Sequence, residues 1–244
     1  MEHFIVFSTG WNCAKYVKQH MESVNNQSYT NYTTIIVDDA STDNTWEEIN
    51  KYKTDRCLIY RNTKNVKYTA NMVNHLKPNV ENDDVVVILD LDDWFAHENV
   101  LTRLNEIYST ENCWITYGHY VRTSGKNMPI GGYPPEVIKN RSFRKHSWMW
   151  HHLKSFKGFL FHNIDIEDFK GPDGNFSLTN PDLPIGFPML EMTPPEKLRY
   201  IPEILMIYNA DNPLMECRTY KKLIKPNTRH FRNKPKYDRL KDVL

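Results

Sequence analysis

Apolar residues in the first half of the chain follow two rhythms, short unbroken runs and stripes at helical spacing. Phe4-Ile5-Val6-Phe7, Thr33-Thr34-Ile35-Ile36-Val37, Cys57-Leu58-Ile59-Tyr60 and Val85-Val86-Val87-Ile88-Leu89 are the runs. Their β-branched and aromatic content predicts four strands. Between them Val17, Met21 and Val24 recur three or four residues apart and predict an amphipathic helix over 14–25. Trp46 and Ile49, then Met72, Val73 and Leu76, mark two more helices. Val100, Leu101, Leu104, Ile107 and Tyr108 share one face of a fourth. Strand and helix alternate throughout, which predicts an α/β fold: a mostly parallel sheet wrapped by helices, binding its ligands at the carboxyl ends of the strands.

Acidic residues collect where two of these runs stop. The second ends in Asp38-Asp39, with Ser41 or Asp43 placed to cap the next helix, and the fourth in Asp90-Leu91-Asp92-Asp93. Parallel strands point their carboxyl ends the same way, so both clusters and the Thr9 loop can line one crevice. Alternation puts Asp90 and Asp92 on one side, with Asp93 beginning the turn. Converging carboxylates make a divalent-metal site, and all-oxygen ligands favour Mg²⁺ or Mn²⁺ over Zn²⁺; a solvated acidic loop is the plain alternative. No GxGxxG or GxxxxGK[ST] follows any strand, which excludes the usual dinucleotide and P-loop routes and leaves phosphate charge to a metal.

Length and composition narrow the class. The 244 residues fit one large domain, or one domain with an extension, and the net charge of +1 predicts no nucleic-acid partner. Cysteines 13, 57, 113 and 217 show no CxxC spacing, so reduced thiols are expected. The first apolar run is too short for a secretory leader, and no stretch is long enough to span a membrane. A cytoplasmic location is therefore expected, with the Asn-x-Ser/Thr triplets at Asn26, Asn31, Asn140 and Asn175 unmodified.

In the second half, Cys113 to Gly118 and His119 to Arg122 predict two more strands, followed by a Gly/Pro-rich loop from Met128 to Pro135. The segment from Phe143 to Phe156 mixes aromatic and basic residues, including Trp148, Trp150, His151, His152 and Lys154. It suits a sugar-stacking platform or ordinary core. From Arg218 onward ten cations face Asp238 and Asp242. A solvated tail over 218–244 is the default. Folding back over a diphosphate, with His230 completing a metal shell, or touching an anionic acceptor or membrane are the functional options.

Val24 to Asp43, with its Gln27-Ser28-Tyr29 and Ile35-Ile36-Val37-Asp38-Asp39-Ala40-Ser41-Thr42-Asp43, and the later Asp90-Leu91-Asp92 resemble a family 2 glycosyltransferase with the GT-A fold. That resemblance implies a mostly parallel Rossmann-like sheet flanked by helices, with a mixed acceptor-side carboxyl-terminal part. Residues 1–112 would form the nucleotide-sugar-binding half and 113–217 the acceptor side. Thr9 would line the nucleotide pocket, Asp39 would accept the base N–H with Asp38 beside it, and Asp90 would approach the ribose or metal. Asp92 would ligate Mn²⁺ or Mg²⁺, with Asp93 a third candidate ligand. The chain departs from the family pattern in lacking a Pro after the first strand and in reading Asn65-Val66-Lys67 where Asn-x-Gly is familiar. Asn65 would then sit over the nucleotide, and Lys67 could reach a phosphate. A second stretch, Asn180 to Met192, resembles the D-x-A-x-x-x-P-x-x-E-M run of some members; Asp182 takes the place of the catalytic base, with Glu191 the alternative. An apolar surrounding that raised the pKa of Asp182 would favour that role.

The implied reaction is metal-dependent, inverting transfer from a nucleoside diphosphate sugar, UDP-linked by resemblance, to a hydroxyl of a glycan, protein or lipid. Two alternatives stay open. Leu89-Asp90-Leu91-Asp92 also resembles a haloacid-dehalogenase-type phosphatase loop, although Asp93-Trp94 departs from it. A catalytically silent nucleotide-sugar-binding module would keep the same crevice.

Overall fold

A computed structural model of the chain describes residues 1–128, 131–214 and 219–241. Its amino-terminal part alternates strand and helix: β1 (Phe4–Gly10), α1 (Ala14–Asn25), β2 (Tyr32–Asp38), α2 (Thr45–Tyr52), β3 (Cys57–Arg61), α3 (Lys67–Asn71) and β4 (Val85–Ile88). The third helical segment continues past α3 as a π-helical turn over Met72–Leu76. After the two-residue β5 (Trp94–Phe95) comes α4 (Val100–Glu111), then β6 (Ile115–Gly118), β7 (Tyr120–Arg122) and β8 (Asn127–Met128). The remainder holds α5 (Pro135–Asn140), β9 (Lys154–Lys157), α6 (Gly158–His162), α7 (Asp182–Met192), β10 (Leu198–Ile201), β11 (Met206–Tyr208) and α8 (Lys221–Asn233).

Seven strands form the main sheet in the order β10-β6-β9-β4-β1-β2-β3, and β5-β11-β7-β8 form a smaller one. All main-sheet pairs are parallel except those of β9, which runs antiparallel to both β4 and β6. This reversed strand lies in the aromatic and basic segment that predicted no strand. Both faces of the sheet are covered. Phe4, Val6, Val85, Val87 and Leu89 pack with α4 on one side, while Ile5, Phe7, Val86 and Ile88 meet α7 residues on the other. Two-sided burial explains why these strands read as continuous apolar runs.

Most of the aromatic cluster is core. Phe143, Trp150 and Phe156 are buried and pack with Phe187 of α7. At Gly186 an added Cβ would lie 2.5 Å from the Trp148 ring and 2.6 Å from that of Trp150, so only glycine lets α7 sit this close to the tryptophans.

The basic tail, expected to be solvated, is docked instead. Asn227 and Phe231, four residues apart on α8, are buried. Arg232 donates to the Arg144 and His146 carbonyls at 2.6 and 2.7 Å. The Asn180 amide donates to Ile224 O and Thr228 Oγ1. Many cations on α8 lie on its solvent side, and their number in the sequence hides its short buried stripe. Cys13, Cys57 and Cys113 are free thiols; Cys217, Arg218 and Asp242 lie outside the described residues. Among the described residues no helix is long and apolar enough to cross a membrane.

Candidate active site

The carboxyl edge of the parallel strands opens into a crevice of about 630 Å³. Thr9, Asp39, Asn65, Asp90, Asp92 and Asp182 all line it. Lys67, Tyr68, His152, Tyr208, Asn212 and Tyr220 complete much of its wall. Asn12, Ala40, Lys67 and Asn180, four of the six left-handed non-glycine residues among the described residues, sit in the loops that build it. Such strained backbone concentrates at functional sites.

At the end of β2 the two aspartates part company. Asp38 is fully buried and away from the crevice; its Oδ1 accepts the Ser41 N–H at 3.0 Å and its Oδ2 lies 3.2 Å from Arg61 Nε. Asp39 faces the crevice and organises the loop after β3. Its Oδ1 accepts from the Asn62 amide at 2.7 Å and the Val66 N–H at 2.9 Å, and its Oδ2 from the Lys67 N–H at 2.8 Å. Asn62 also donates to Asn71, which donates to Thr9 Oγ1. One hydrogen-bonded network therefore fixes three strand ends. Asp38 acts as a tie within the turn and is not a crevice residue, which corrects its expected place beside the ligand.

At the end of β4 the ladder outlasts the strand. Leu89 N and Leu91 N donate to Phe7 O and Thr9 O, so Asp90 and Asp92 stay on the side of Ile88, which also lines the crevice, while Leu91 packs beneath. Asp92 Oδ2 accepts from the Asn212 amide at 2.6 Å, and burial raises its pKa. Asp93 points the other way, fully buried, its Oδ1 accepting the Asn209 N–H at 2.7 Å. Burial, then the charges of Asp92 and Asp90, push its carboxyl well up. It joins the two sheets and does not line the crevice, contrary to the ligand role predicted for it. Below this turn His20 donates from Nδ1 to Asp93 O at 2.8 Å and accepts from Ser8 Oγ at Nε2. Burial lowers its pKa to about 4, so it stays a neutral strut.

Asp182 opens α7 with 38% of its side chain exposed, and Lys154 Nζ lies 2.5 Å from its Oδ1. Lys154 is buried at the start of β9, opposite Ile88 in register. In place of an apolar surrounding that would favour a base, Asp182 has an ion pair that fixes the carboxylate's orientation. Desolvation, then the Lys154 charge, push His152 well down, and its neutral ring stacks on Tyr208 at 5.7 Å.

Glu191 is a correction. Fully buried on α7, it receives Arg144 through both oxygens at 2.7 and 2.9 Å, and Oε2 also accepts the Tyr237 N–H. It clasps the tail to the core and is outside the crevice. His230 likewise bonds the Lys170 carbonyl at 3.1 Å and does not line the crevice.

Among the described residues no cluster of three or more His, Cys, Asp or Glu side chains could hold a metal alone. Two carboxylates, one of them desolvated with a single neutral amide donor, do fit a hard divalent cation that takes its remaining ligands from phosphate oxygens and water. Sequence reasoning placed His152 and Lys154 only within the aromatic and basic segment, without the partner of either, and missed Tyr208, Asn212, Trp11 and Tyr220. Of the missed residues Asn212 left a local signal, as one of the polar residues that follow an apolar strand.

Comparison with known proteins matches the same elements. Residues 6–164 fit the model of Glycosyl transferase family 2, a span that includes both acidic strand ends and stops before Asp182. An Escherichia coli protein, UDP-Glc:alpha-D-GlcNAc-diphosphoundecaprenol beta-1,3-glucosyltransferase WfaP, is 29% identical over 140 residues, 56% of this chain and 54% of its own. The chain spans about half the length of that curated relative. Staphylococcus aureus TarS 1-349 in complex with UDP-GlcNAc superposes with a TM-score of 0.67 at 15% identity, covering 89% of this chain and 61% of that one. The mannosyltransferase PcManGT of Pyrobaculum calidifontis, in complex with GDP-Man and Mn²⁺, gives 0.58 at 14% identity, over 86% and 58%. These structures share the GT-A fold. The family match takes in more than half of the chain and sets aside the phosphatase alternative: the protein belongs to glycosyl transferase family 2.

Proposed function

We propose that this protein transfers a glycosyl group from a UDP-linked sugar to a hydroxyl of a glycan acceptor, with inversion and with a divalent metal, Mn²⁺ or Mg²⁺. The carrying observation is that Asp39, Asp90 and Asp92, from the ends of two strands, share one crevice with the Lys154-held Asp182. The donor and acceptor classes draw support from the names of the E. coli relative and the S. aureus complex. In this reading residues 1–112 supply the donor wall and 113–217 the acceptor wall.

Asp39 and the loop it holds receive the nucleoside. Asp90 and Asp92 would hold the cation, which when bound neutralises charge building on the departing diphosphate. Asp182 takes the acceptor proton on Oδ2 while Lys154 keeps Oδ1. The acceptor oxygen bonds to the anomeric carbon as the bond from that carbon to the diphosphate oxygen breaks. The transition state carries oxocarbenium character. A single carboxylate base suffices for one inverting displacement.

Thermal unfolding with UDP-glucose, UDP-GlcNAc and GDP-mannose, each with and without Mn²⁺, tests the donor. A UDP-sugar should raise Tm, and more with Mn²⁺; no shift with any donor refutes the assignment. For the base, Asp182→Asn should cut UDP release in the presence of a GlcNAc-diphosphate lipid by about 10²–10⁴-fold while the donor-induced Tm shift persists. Unchanged turnover would remove Asp182 from the mechanism.

A further inference from the structure

We infer that Lys67 is a donor-binding residue of this chain, a cation presented to the diphosphate of the bound nucleotide; the inference rests on the donor reading above. The first observation is conformational. Lys67 has φ +73°, a left-handed backbone that glycine adopts without strain and lysine does not. Other residues in that conformation, Asn112 and Arg141, close helices as C-caps, whereas Lys67 begins one. The strain is enforced from outside, because Asp39 Oδ2 takes the Lys67 N–H and holds the loop in place.

The second observation is where the side chain goes. It does not run out into solvent. Its ammonium lies 5.4 Å from the Trp11 ring centroid and 5.0 Å from that of Tyr220, and all three residues line the crevice. Aromatic faces attract a cation while leaving its N–H donors available. The ammonium is therefore kept at the crevice wall by partners that an anion can displace. Asp90 and Asp92 also line the crevice, so a diphosphate there would find a cation on the wall as well as any metal the carboxylates hold. Lysine serves phosphate as a point charge with rotatable donors, which suits capture from a parked position.

A purely structural reading makes Lys67 a strut between Trp11 and the start of α8. The two readings predict opposite results for Lys67→Gly, which relieves the backbone strain and deletes the charge together. With Mn²⁺ present, affinities for UDP and uridine are measured for wild type, Lys67→Gly and Lys67→Ala, alongside ligand-free Tm. The inference expects UDP to weaken about ten-fold in both variants, uridine to be unchanged, and Lys67→Gly to be at least as thermostable as wild type. A lower Tm with an unchanged UDP-to-uridine ratio makes Lys67 a strut and overturns the inference. Equal weakening of UDP and uridine overturns it as well, since the loop has then deformed. Failure of the wild type to bind either compound overturns the donor reading and the inference with it, an outcome distinct from the other two.

Discussion

The two acidic strand ends have nearly the same composition and opposite physics. After β2 the carboxylates are met by the chain itself: three donors converge on Asp39, and Asp38 has a backbone N–H and Arg61 beside it. After β4, Asp92 has one neutral amide donor, Asp93 one backbone N–H, and burial raises both pKa values. One cluster is finished by folding and serves as a mould. In the other, the Lys154 charge draws Asp93 down but burial and carboxylate repulsion outweigh it, a condition under which an incoming cation gains much. Acidic residues at a strand end are thus informative only once their donors are counted.

Substitutions can break this contrast. The largest effect is expected for Asp92→Asn. Mn²⁺-dependent donor binding and transfer should fall about 10²–10³-fold, while ligand-free stability in urea stays level or rises by about 1 kcal/mol because a desolvated charge has gone. A loss of stability instead would make the two clusters alike. Next is the acid response set by His20 beneath the β4 turn. The unfolded chain takes up this proton near 6.5 and the folded chain resists it to about 4, so stability should decline as pH falls through that window, by on the order of 3 kcal/mol. Urea midpoints between pH 7 and 4 would show the slope, and His20→Gln should flatten it. Asp39→Asn should cost about 2–3 kcal/mol in the same assay, because an amide cannot accept from all three donors. The smallest change is expected for Asp93→Asn, which should leave donor binding and transfer within about two-fold. Loss of the Mn²⁺ response there would restore Asp93 as a ligand.

The amino-terminal half was legible because its signals are local. Continuous apolar runs gave β1, β2 and β4, the Val17-Met21-Val24 stripe gave α1 at its observed limits, and the aspartates follow directly on the strands. What escaped depends on partners distant in sequence. Lys154 reads as one cation in an aromatic stretch until β9 sets it opposite Ile88 and beside Asp182, 28 residues on. The four residues of β9 and the two of β5 are too short for periodicity to register. Glu191 and Arg144 are 47 residues apart, so a buried clasp looked like a candidate base. In the tail, cations outnumbered Asn227 and Phe231, and charge count concealed a packed helix.

The reversed strand also bears on how this protein could be re-engineered. β1, β2 and β4 deliver residues to the crevice from their carboxyl ends, but β9 presents its beginning there, so His152 on the wall and Lys154, the partner of Asp182, arrive from the upstream side. A chimera joined immediately before β9 would separate His152 from the strand that positions it. It would also pair one parent's Lys154 with the other parent's approach segment. Segments of the second half should therefore be exchanged at a seam upstream of Trp148, carrying the approach segment, β9 and α7 across as one cassette.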